Sequence, residues 1–75
     1  MTMMQLEARI LGPEGEELDG YFYATQDVEY VMAESIARAR IEVDGFASLE
    51  IVPFNGEYQV LATYDLATDE VSYYC

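Results

Sequence analysis

Seventy-five residues carry fifteen acids against three bases, all of them arginine, with no histidine and a net charge of −12 at pH 7. A chain of this length forms one domain over residues 1–75, burying about 60% of its extended surface in a core two layers deep. Its apolar content of 52% is that of a globular domain rather than a disordered tail. The charge excludes nucleic-acid binding through phosphate contacts, which need Lys and Arg, and attachment to anionic membrane surfaces.

Met4, Leu6, Ala8 and Ile10 alternate with Gln5, Glu7 and Arg9, the period-two pattern of a half-buried strand. Gly12-Pro13-Glu14-Gly15-Glu16-Glu17 ends it in an acidic, turn-rich loop. A second strand follows from about Leu18 to Thr25, completing a hairpin. Its alternation puts Leu18, Phe22 and Ala24 on one face and Asp19, Tyr21 and Tyr23 on the other. The two tyrosines are expected to lie away from the helix.

One helix is predicted over Gln26 to Asp44, with Val28, Val31, Met32, Ser35, Ile36, Ala39 and Val43 forming a single stripe. Thr25 is placed at its N-cap and Gly45 at C′, where a left-handed residue is needed. Glu34, Arg38 and Glu42 form an i, i+4, i+8 ladder on the outer face.

Ser48 to Val52 reads as a strand stopped by Pro53, and Asn55-Gly56 as a hairpin turn. Glu57 to Tyr64 alternates, with Tyr58, Val60, Ala62 and Tyr64 sharing a face. Asp65 to Glu70 is a polar turn and Val71 to Cys75 a last strand. The predicted fold is α+β, in the order ββαβββ, with one helix on one face of an antiparallel sheet.

The parts of an active site are missing. No histidine serves as a base near neutral pH, and Ser35, Ser48 and Ser72 have no lysine or histidine to activate them. Cys75, the single cysteine, makes no internal disulfide and no thiolate zinc site. A non-enzyme without cofactor or metal is expected, since the two acidic loops match no calcium-loop spacing. The start Met1–Glu7 lacks a basic n-region with a long apolar run, which predicts an intact cytoplasmic protein.

Asp27 and Glu29 complement the helix dipole. The acids outside the helix have no such local reason, and self-repulsion makes them costly. Twelve charges match the phosphates on about 20 Å of duplex axis, close to the expected width of the domain. The fitting partner is a basic, nucleic-acid-binding protein whose site the chain occupies, reached by electrostatic steering. Partner contacts are expected from Glu14, Glu16, Glu17 and Asp19, from Asp65, Asp69 and Glu70, and from Tyr21 and Tyr23, since tyrosine is enriched at binding hot spots. A monomer is expected, because a dimer would double the charge.

In size, in its single helix on short strands, and in the segment Ala39-Arg40-Ile41-Glu42-Val43-Asp44-Gly45-Phe46, the chain resembles the small acidic anti-CRISPR proteins of phages. The resemblance implies a stoichiometric inhibitor of the DNA-mimic class. It would block target-DNA loading on a type I surveillance complex (Cascade), with type I-C the nearest class, in the cytoplasm of an infected bacterium. No residue role carries over, since no motif position matches. The competing reading is an acidic protein-binding module, such as an antitoxin, immunity or phage accessory protein, without nucleic-acid mimicry.

Overall fold

A computed structural model describes residues 5–54 and 58–74. The elements follow as β1 (Leu6–Leu11), β2 (Glu17–Tyr23), α1 (Val28–Glu42), β3 (Ser48–Pro53), β4 (Ala62–Asp65) and β5 (Glu70–Tyr73). This is the expected α+β order, ββαβββ. All neighbouring strands are antiparallel, in the spatial order β2-β1-β3-β4-β5. β2 and β3 both flank β1 and so run parallel to each other. A parallel pair cannot be joined by a tight turn, and α1 makes the crossing.

Burial alternates along the whole of β1, with Leu6, Ala8 and Ile10 turned inward. They pair with Pro53, Ile51 and Leu49 on β3. Val31, Met32, Ser35 and Ala39 close the core from α1. Ala8, Ala39 and Ala62 are fully buried, and their small side chains let the helix lie close to the central strands. Leu6, Ile10, Met32, Leu49 and Ile51 are the largest of the fully enclosed apolar groups, each contributing about 1.5–3 kcal/mol by leaving water. Ser35 stands in this apolar stripe because its hydroxyl donates back to the Val31 carbonyl at 2.6 Å.

β2 reverses the expected faces. Tyr21 is 4% exposed and belongs to the core, Tyr23 packs against it, and Phe22 is 60% exposed. The cause is register: Tyr21 pairs with Ala8 and Tyr23 with Leu6, both inward residues of β1. The helix lies over β1, β3 and β4, so the flank above β2 is filled only by long side chains. Tyrosines reach it.

The helix is two residues shorter at each end than expected. Asp27, not Thr25, is the N-cap, its carboxylate accepting from the Tyr30 N–H at 3.0 Å. The Thr25 hydroxyl instead accepts from the Asp27 N–H at 3.1 Å. Val43 is the C-cap, so Gly45, with a left-handed φ of 84°, stands one residue beyond C′ rather than at it as expected. The strand expected over residues 57–64 is regular only from Ala62. Tyr58 does not share the face of Ala62 and Tyr64: it is exposed, and its hydroxyl donates to Glu50 on the far side of the sheet. The Asn55-Gly56 turn and Cys75 lie outside the described residues.

Candidate functional site

Three connections meet at one end of the sheet. Leu11 pairs with both Glu17 and Ser48, Ser48 with Asp65, and Asp65 with Glu70. Backbone bonds from Ala47 N to the Leu11 carbonyl, 2.9 Å, and from Leu66 N to the Ala47 carbonyl, 3.0 Å, tie the loops together. The β1–β2 loop, the loop after α1 and the β4–β5 turn therefore form one rim, about 19 Å wide at a strand spacing of about 4.8 Å. Glu14, Glu16, Glu17, Glu42, Asp44, Asp65, Asp69 and Glu70 all lie exposed on it. Two sequence-distant acidic loops become one surface. The C-terminus of α1 points to the same end and adds about half a negative charge.

Each of the three arginines pairs with one acid of the rim, and five rim acids are left over. Arg40 reaches the rim, donating to Asp69 at 3.2 Å and to the Tyr64 hydroxyl at 2.6 Å. Tyr64 in turn donates to Asp69 at 2.5 Å, and that bond, with burial, holds its phenol above the usual range. Arg38 pairs with Glu42 at 2.8 Å and lies 4.0 Å over the Tyr21 ring. Arg9 bridges Glu17 at 2.9 Å and Glu50 at 2.7 Å. Glu14, Glu16, Asp44, Asp65 and Glu70 form no ion pair with them.

Of the site residues expected from sequence, six stand on this rim. Glu16 is partly occupied, accepting from the Glu14 N–H at 2.9 Å. Asp65 accepts from the Ala67 N–H at 3.0 Å, leaving its charge outward. Asp69 turns to Tyr64 and Arg40. Asp19 sits further along the edge strand, paired with Ile10 and accepting from Gly20 N–H at 2.8 Å. Tyr21 is buried and offers a partner no surface, while Tyr23 is half-buried beside it. Burial raises both phenols, and the Tyr23 hydroxyl is enclosed without a partner. Arg38 lies close enough to pull the Tyr23 phenol part of the way back down, without reaching hydrogen-bonding geometry.

Sequence reasoning passed over Glu42 and Asp44. Their signal is legible: acids in and just past the last helical turn oppose the dipole, unlike Asp27 and Glu29. A shallow groove of about 390 Å³ runs from the rim onto the open face of the sheet, between β3, β4 and β5. Glu50, Asp65, Glu70 and the hydroxyls of Ser48, Thr63 and Ser72 line it. Such a lining accepts cations and hydrogen-bond donors and supplies no activated nucleophile. Among the described residues no three acids converge as metal ligands, and no helix is long and apolar enough to cross a membrane. Comparison with protein-family models, with curated proteins and with solved structures gives no match.

Proposed function

We propose that the chain is a stoichiometric protein inhibitor that sets carboxylates in place of DNA phosphates. Its partner is a basic nucleic-acid-binding protein, and the anti-CRISPR resemblance makes that partner a Cascade complex whose target-DNA loading it blocks. The observation that carries this reading is the rim: eight exposed carboxylates, of which Glu17, Glu42 and Asp69 each pair with one arginine and the other five form no ion pair, at the end where the helix dipole is also negative. Folding alone gives no reason for that arrangement. Asp65 and Glu70 are direct cross-strand partners, and like charges so placed destabilise a sheet.

Scale refines the reading. The molecule measures 38 × 20 × 20 Å, longer than the width assumed from its size alone. Its −12 charge averages one per about 3.2 Å along the long axis. Duplex DNA carries one per about 1.7 Å, and a single strand one per about 3.4 Å. The charge density supports imitation of one phosphate strand rather than of a full duplex.

The test is a variant carrying Glu14→Gln, Asp44→Asn, Asp65→Asn and Glu70→Gln together, assayed for block of target-DNA binding by purified type I-C Cascade. Inhibition should fall by about eightyfold or more if each lost charge weakens binding about threefold or more. An unchanged inhibitor would remove the rim from the interface.

A further inference from the structure

Outside the rim, the open face of the sheet over β1 and β2 carries an aromatic pair that the fold leaves uncovered. Phe22 is 60% and Phe54 55% exposed, with their rings edge to face at 4.9 Å. Next to Phe22, Gly20 leaves β2 without a side chain. A Cβ at that position would meet Glu7 Oε2 at 3.0 Å and Glu17 Oε2 at 3.4 Å. Two carboxylate oxygens thus converge over one bare stretch of backbone. Arg9 bonds to Glu17 through Oε1, which leaves Oε2 directed at the notch. Arg9, opposite Gly20 on β1, offsets part of this charge, but partial burial and then the charge of Glu17 still hold the Glu7 carboxyl above its usual range.

We propose that this face seats an arginine side chain of the basic partner, with its guanidinium over Gly20 between Glu7 and Glu17 and its stem against Phe22 and Phe54. A planar guanidinium presents donors in two directions to carboxylates and packs well on aromatic rings. Charge complementarity selects this occupant. A second copy would bring Glu7 and Glu17 against their own kind, and a calcium ion needs six to eight oxygens. The inference rests on the basic-partner reading above and adds to it a short-range contact that salt screens less than it screens the rim.

The test uses the whole ¹⁵N-labelled chain titrated with a tetra-arginine peptide, with tetra-lysine as the comparison. The largest amide shifts should fall on Glu7, Gly20 and Phe22, and arginine should bind more tightly than lysine. Glu7→Gln should weaken arginine binding about tenfold, the loss of one charge-assisted contact, and Phe22→Ala several-fold. Glu34→Gln, an equal charge change on the outer helix face, should weaken it no more than about twofold. Shifts spread evenly over the rim, or equal effects of Glu7→Gln and Glu34→Gln, would overturn the proposal. So would shifts of Phe22 and Phe54 on dilution of the protein alone, which would give the face to a second copy. The assay contains no nucleic-acid-binding protein, so its outcome is separable from that of the DNA-loading assay.

Discussion

Tyr23 shows how a single side chain serves the fold at some cost. Its ring fills the flank beside α1 and meets Tyr30 edge to face at 6.5 Å, while its hydroxyl is buried unpaired. An unsatisfied buried hydroxyl costs about 1–3 kcal/mol. Tyr23→Phe should therefore stabilise the protein, raising Tm by about 4–8 °C per kcal/mol regained in a domain of this size; a fall in Tm on calorimetry would mean the hydroxyl has a partner. Glu7 gives a prediction with a sign. Its folded-state pKa is raised, so its contribution to stability is full below the ordinary carboxylate pKa and is lost as pH climbs through the raised one. Glu7→Gln should melt higher than the parent at pH 7, and the gap should close in acid. Alternation along β2 could not reveal the role of these tyrosines. Both faces of that strand carry aromatic residues, and which face is inward depends on the pairing with Ala8 and Leu6.

Among the elements, α1 was the most legible, because its stripe is read at short range and a buried face needs no knowledge of its partner. Its ends were less so. Thr25 and Asp27 are both competent caps, and each is used, one after the other in the same turn. The β4–β5 turn depends on Asp69, a non-glycine residue with φ of 58°, stabilised by Tyr64 and Arg40. Asp69→Asn tolerates the same backbone and keeps an acceptor, so it should be nearly neutral. Asp69→Ala loses both and should cost about 1–2 kcal/mol, read as a shift in the urea midpoint. Segment 58–61 departs from the expected strand because Tyr58 follows Glu50 and Arg9, which lies 5.7 Å from its ring centre, rather than the alternation of its own residues. Strand order was not legible at all. The β1–β3 pairing joins residues some forty positions apart, and nothing local specifies it.

For the whole molecule, both acidic loops were legible as clusters, but their union on one rim is a consequence of topology. Antiparallel pairing in the order β2-β1-β3-β4-β5 makes β1 and β4 run the same way and so brings Glu14 and Glu70 to the same end. Concentrated charge of one sign favours expansion of the chain and is screened over about 8 Å at physiological ionic strength. Tm should therefore rise between low and moderate sodium chloride, and a fall would contradict a clustered negative surface. The fourfold rim variant should melt higher than the parent while losing its inhibitory power, the pattern of residues kept for binding rather than for folding. The most direct measurement immobilises the chain, loads type I-C Cascade at constant ionic strength, and adds duplex target DNA. Phosphate mimicry predicts that DNA releases the complex in proportion to its concentration. Cascade that binds and stays bound at saturating DNA would contradict it.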